Sequence, residues 1–132
     1  MANPAPGYAQ KPEHRVDLVP ETRHVRVTFA GAVIADSKEA VRCEETGHGP
    51  VHYVPEKDVR IDLLKLTAHQ TYCPFKGDCS YWTIAVAGEV GGTDGKQSEN
   101  AVWAYRAPYD EASGLAGHYA FYKTRVDSIE VS

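Results

Sequence analysis

The chain has 132 residues, 42% of them apolar and 24% charged, with a net charge of −4. That length allows one domain with its own core, and the acidic balance, with no cluster of Lys or Arg, argues against a nucleic-acid partner, which demands a basic footprint on the phosphates. No apolar run approaches the roughly 18 residues of a membrane span, so no membrane partner is expected.

Residues 1–20 read as an extended N-terminal arm, ahead of one β domain over residues 21–132. The first fourteen hold three prolines and a glycine and no apolar h-region of a secretory signal. From His24 the text alternates, with Val25, Val27 and Phe29 on one face and Arg26 and Thr28 on the other. Ala30-Gly31 breaks the run and Val33-Ile34 resumes it, which predicts a hairpin. Ala40 to Cys43 and Val51 to Val54 are short strand candidates on either side of a Gly47–Pro50 loop. Glu56 to Thr67 fits both periods, and Pro55 with Glu56 tips it toward a short helix. Tyr81 to Ala87 and Asn100 to Tyr105 are strands, and Gly88 to Ser98 is the turn-rich tip between them. Pro108 to Gly117 is irregular or one helical turn. His118–Tyr122 and Val126–Val131 close the chain. Many short strands and little helix predict an all-β fold of two antiparallel sheets with at most short helices.

Two segments concentrate chemistry: HQTYCPFKGDCSYW over His69–Trp82 and ENAVWAY over Glu99–Tyr105. The grouping of a thiol, a lysine, aromatics and an asparagine suggests a pocket rim. Cys73 precedes Pro74, which cannot continue a central ladder, so the chain bends there. Lys76, three residues on, would favour a thiolate at Cys73. The plainer reading is a buried cysteine that shapes a turn. Lys76 itself is an anion anchor, an imine-forming amine or a solvated turn lysine, with Gly77 supplying positive φ. Successive strand residues face opposite ways, so Tyr81 and Trp82 cannot share a cleft, whereas Trp103 and Tyr105 can. Asn100 is a pocket hydrogen-bonder or a residue at positive φ. His48, between two glycines, would form an acid–base pair with Glu45 if both faced the cleft.

Metal and nucleotidyl chemistry are weaker readings. Cys73 and Cys79 are six apart, wider than the usual zinc pair, so no metal or other cofactor is expected. Should one be present, Cys73, Cys79 and His69 would be its first candidate ligands. Nucleotidyl transfer commonly uses an Asp-x-Asp after a Gly-Ser turn to hold Mg²⁺, and neither is present. Three cysteines without framework spacing fit a reducing, cytoplasmic setting.

Taken together, PGYAQKPEHRV, RVTFAGAVIADS, ETGHGPVHYVP, CPFKG with SYW, ENAVWAY and GHYAFY with RVD resemble the DUF427 family over nearly the whole chain. The group is sometimes catalogued as nucleotidyltransferase-like. The resemblance implies a Mss4-like, or β-tent, fold in which two sheets meet at an angle around an open cleft. Many Mss4-like proteins carry zinc on paired CxxC knuckles, and this chain has no CxxC. Its Gly88–Ser98 loop is also longer than the family pattern needs. The resemblance implies no settled activity.

The sequence therefore predicts a binding module for an unidentified small molecule, with Tyr53, Cys73, Phe75, Lys76, Asn100, Trp103 and Tyr105 as ligand-binding residues and His48 at the mouth. An enzyme with Cys73 or Lys76 as nucleophile, and His48 and Glu45 as further catalytic candidates, is the alternative. A protein-interaction module without chemistry is the third reading.

Overall fold

Alternation of apolar and polar residues decides the architecture, and it does so twice, once on each side of a large sheet. The structure, a computed structural model, describes residues 2–87 and 95–132. A short helix, α1 (Gly7–Gln10), precedes ten strands: β1 (Val16–Pro20), β2 (Val25–Phe29), β3 (Ala32–Ser37), β4 (Val41–Glu45), β5 (Val51–Pro55), β6 (Leu64–Cys73), β7 (Gly77–Val86), β8 (Lys96–Ala104), β9 (His118–Phe121) and β10 (Ser128–Val131). Seven strands form one sheet in the order β1-β4-β5-β9-β8-β7-β6, and three form a second, β10-β2-β3. Every pairing between strands is antiparallel. The fold is all-β. No helix among the described residues is long and apolar enough to cross a membrane.

The segment read as an arm, residues 1–20, carries α1 and β1, and β1 pairs with β4. The β2–β3 hairpin turns at Ala30-Gly31, both at positive φ. The expected helix within Glu56–Thr67 is corrected. Two 3₁₀ turns, Glu56–Asp58 and Ile61–Leu63, lead into the ten-residue β6. Pro55 does start a turn, but Leu64 to Leu66 then pair with β7, opposite Ile84 to Trp82. That ladder overrides the helical spacing of Val59, Leu63 and Leu66. The expected tip at Gly88–Ser98 lies partly outside the described residues, but β7 and β8 pair on either side of it as a hairpin requires.

Period-2 alternation sends neighbouring residues to different cores. Val54, Trp82, Ile84, Val102 and Phe121 face the small sheet and pack with its Val25, Val27 and Ile34. Tyr53, Tyr81, Cys79 and Tyr105 face the other way and pack with Cys43, Leu115 and Ala120. Fully burying one large apolar side chain contributes about 1.5–3 kcal/mol, so both sides stabilise the sheet.

The large sheet curls. In a flat sheet β4 and β7, four places apart, would lie about 19 Å from each other at the usual strand spacing. Yet Glu45 at the end of β4 and Lys76 just before β7 meet at 2.5 Å, which their side chains can do only if the sheet bends round. The concave side is covered by the 3₁₀ segment Asp110–Leu115 and by the N-terminal residues. Asn3 N–H donates to Asp110 Oδ2 at 2.7 Å, Ala5 N–H to Glu111 Oε1 at 2.8 Å, and Gly7 N–H to the Pro74 carbonyl at 2.9 Å. Gly7 lies so close to the Phe75 ring that a Cβ there would stand 2.7 Å from its Cε1.

Near the other sheet edge, Glu21 ties three elements together. Its buried carboxylate accepts from Arg23 Nη2 at 2.7 Å, from His52 Nε2 at 2.9 Å and from Arg42 Nη1 at 3.3 Å. The Arg23 and His52 hydrogen bonds hold its pKa far below the usual 4.5, against the opposing effect of burial. A depressed carboxylate stabilises the fold above its unfolded pKa and loses that contribution as the pH falls through the folded value. Hydrogen bonds to charged groups contribute about 1.5–3 kcal/mol. Glu21→Gln is therefore expected to lower stability by about 2 kcal/mol at neutral pH. Urea titrations should show the difference shrinking as the pH drops below about 4. A constant difference across that range would assign the effect to packing instead.

Candidate functional site

The curl encloses a chamber of about 380 Å³. From β4 come Cys43 and Glu45, two residues apart and so on one face. From β5 come Val51 and Tyr53, again two apart. Tyr81 of β7 and Trp103 of β8 are register partners, and Tyr105 and Tyr122 follow the ends of β8 and β9. Cys73 and Lys76 stand at either side of the β6–β7 turn, and His48-Gly49 complete the rim.

Five rings dominate the lining. Tyr53 and Trp103 meet edge-on at 6.1 Å, and Trp103 Nε1–H donates to the Tyr53 hydroxyl at 3.2 Å. Trp103 and Tyr122 are tilted with centroids 4.4 Å apart, and Tyr81 lies parallel to Tyr122 at 6.5 Å. The Tyr81 hydroxyl is within hydrogen-bond distance of Thr71 Oγ1, at 2.9 Å. Burial pushes the hydroxyls of Tyr53, Tyr81 and Tyr105 well above the usual tyrosine value. They are neutral hydrogen-bonding groups, not bases.

The charged part is a chain of three side chains. Lys76 Nζ donates to Glu45 Oε1 at 2.5 Å and sits 5.4 Å from the centre of the Tyr105 ring. Glu45 Oε2 is 2.9 Å from His14 Nε2. His14 stacks on Phe75, centroids 3.9 Å apart. Burial alone would push the Lys76 pKa down, but the Glu45 hydrogen bond and charge outweigh it and leave the pKa raised. For Glu45, burial pushes up, while Lys76 and His14 pull harder and hold the carboxyl below its ordinary value. At neutral pH the pair is an ammonium and a carboxylate. Lys76 therefore rests as a cation, and it would have to give up its proton before acting as an amine nucleophile.

Of the residues singled out in the sequence, Tyr53, Cys73, Lys76, Trp103 and Tyr105 line the chamber, and so do Glu45 and His48. Among the described residues no hydrogen bond joins the side chains of Glu45 and His48, and the Glu45 oxygens meet Lys76 and His14 instead. Phe75 is not brought to the chamber. Its ring points to the N-terminal segment, against Gly7, Tyr8 and His14. Asn100 is not in the lining either. It sits at φ 51° in an irregularity of the β7–β8 ladder, where its Oδ1 accepts from Thr67 Oγ1 at 2.7 Å. Cys43 and Cys79 are buried thiols whose pKa values burial raises. His69 packs its ring 4.5 Å from Tyr81. Among the described residues no group of three His, Cys, Asp or Glu converges as a metal site.

Sequence reasoning missed Cys43, Tyr122 and His14. Cys43 was legible by its i, i+2 relation to Glu45, and Tyr122 by its place just past a strand. His14 carried no signal, since its partners are far away in sequence.

The fold and the site together define a small β protein whose main sheet curls around a half-buried aromatic chamber. Residues 17–132 match the model of a domain of unknown function, DUF427, and the chain belongs to that family. No curated protein matches it. His14 and Tyr8, which brace the Lys76 turn, precede the matched residues.

Breaking one partner of a buried ion pair costs more than removing both, because the survivor is left uncompensated. Glu45→Gln and Lys76→Met are each expected to destabilise the fold by about 1–3 kcal/mol, with the double variant less unstable than their sum by about 1–2 kcal/mol. Urea unfolding of the four proteins measures this. Strict additivity would mean that the two groups do not interact in solution.

Proposed function

We propose that the chamber binds a small planar molecule, stacked against Trp103 and its tyrosine neighbours and oriented by the Lys76–Glu45 pair. The observation that carries this reading is the combination of five aromatic rings and one buried ion pair around a concave space of about 380 Å³. Binding pockets are commonly a few hundred Å³, mostly apolar or aromatic, with few polar groups that fix orientation. The tyrosine hydroxyls, kept neutral, add donors and acceptors without adding charge. The cleft between the two sheets supports the β-tent reading of the fold, and three unpaired thiols support a cytoplasmic setting.

A catalytic reading has one specific support: Cys73 lines the same chamber, half-buried. It makes a different demand on substitution. Under the binding reading Cys73→Ser changes affinity by no more than about twofold. Under the catalytic reading it abolishes turnover while binding persists, because the thiolate is the nucleophile.

The two tryptophans provide the test, since Trp103 borders the chamber and Trp82 faces the other core. Titration of the ¹⁵N-labelled protein with phenol, benzamide and adenine should move the Trp103 indole N–H cross-peak and leave that of Trp82 in place. Stacking contributes about 1 kcal/mol beyond burial, so Trp103→Ala should weaken the best of these probes by about tenfold once lost contact area is included. If all three probes leave the Trp103 signal unmoved at millimolar concentration, the rings are core packing and the reading is wrong.

A further inference from the structure

A second cavity, of about 490 Å³, opens between the two sheets and adjoins the aromatic chamber. The two share His48, Gly49, Val51, Trp103 and Tyr122 as a common wall. The apolar lining of the second cavity is partly accessible at Val51 of β5 and Ile129 of β10, while Val25, Val27, Val54 and Phe121 around it belong to the packed core between the sheets. Its basic side chains are His48, His52 and Lys123, and among the described residues no Asp or Glu lines it. His52 directs Nε2 to Glu21, whereas Lys123 and His48 are exposed at the rim. The aromatic chamber differs in this respect, because Glu45 neutralises its only lysine.

The two cavities therefore ask for different chemistry on one molecule. Rings and a neutralised ion pair suit a planar group. The partly exposed side chains of Val51 and Ile129 suit methylenes, which gain from leaving water. A rim with basic groups and no carboxylate suits an anion, through charge complementarity that also discriminates against cations.

We propose that the two cavities form one bipartite site for an aryl-substituted alkanoic acid. The ring enters the aromatic chamber, the alkyl chain crosses the shared wall to lie against Val51 and Ile129, and the carboxylate lies at the Lys123 rim. This rests on the aromatic chamber being a binding site, and it adds the ligand class and a second anchoring point. Trp103 and Tyr122, common to both cavities, are the positions that a linker must pass.

The test is calorimetric titration with phenol, with phenylalkanoates from phenylacetate to 6-phenylhexanoate, and with the matching phenyl alcohols. At the chain length that spans the two cavities, the acid should bind about two- to fivefold tighter than its alcohol, the contribution expected of one rim ion pair. Lys123→Ala should remove that advantage and leave phenol affinity unchanged. Ile129→Trp, which fills the second cavity, should weaken the long acids and alcohols alike and again spare phenol. If phenol binds but acids and alcohols bind equally at every length, or Lys123→Ala leaves the acids unaffected, the bipartite site is refuted while the aromatic chamber stands. If neither phenol nor any acid binds, both readings fall.

Discussion

The ion pair between Lys76 and Glu45 is the constraint on which the rest of the site depends. It joins the end of β4 to the turn before β7 across a sheet in which these strands are four places apart. Without the curl that this contact requires, Tyr53, Tyr81, Trp103 and Tyr105 would lie along one face of an open sheet and enclose nothing. The turn itself is built for the purpose. Pro74 ends β6, Gly77 at φ 119° lets the chain reverse, and Tyr109 N–H donates to the Lys76 carbonyl at 3.0 Å. His14 and Phe75 then clamp the turn from outside, so the N-terminal segment takes part in holding the site.

The same pair sets the chemistry. A buried lysine on its own would tend to lose its proton, and a buried carboxylate would tend to gain one. Together they keep both charges and cancel them, so the chamber is polar without being a strong anion trap. Buried hydroxyls raised above their ordinary pKa add to that character. The proposed selectivity follows: stacking and hydrogen bonding in the aromatic chamber, charge recognition only at the Lys123 rim. Burying an ion pair is costly and seldom stabilises more than apolar residues would. Its place at the chamber floor suggests a role in orientation as well as in closure.

Much of this was legible in the sequence, and what was not has physical reasons. The β2–β3 hairpin could be read because Val25, Val27 and Phe29 alternate and Ala30-Gly31 interrupts them. Trp103 and Tyr105 could be assigned to one face by the period of a strand. β6 could not, since it is an edge strand that leaves Leu66 and Tyr72 in solvent, and its apolar spacing therefore fits a helix as well. Phe75 lies outside the chamber lining, because nearness to Lys76 in sequence says nothing about which way a ring leaves a tight turn. Of the two readings of Asn100, the structure shows the positive φ, in an irregularity of the ladder that keeps the residue out of the chamber lining. Cys43, Tyr122 and His14 come from three distant parts of the chain, and only the curl of the sheet brings them together.

The most direct measurement is a crystal structure of the protein soaked in a panel of small planar aromatics. The account predicts planar density inside the curled sheet, in contact with Trp103 and Tyr105 and within hydrogen-bonding reach of Lys76 or Glu45. Fragments that gather elsewhere on the surface, with only ordered water between those rings, would contradict it.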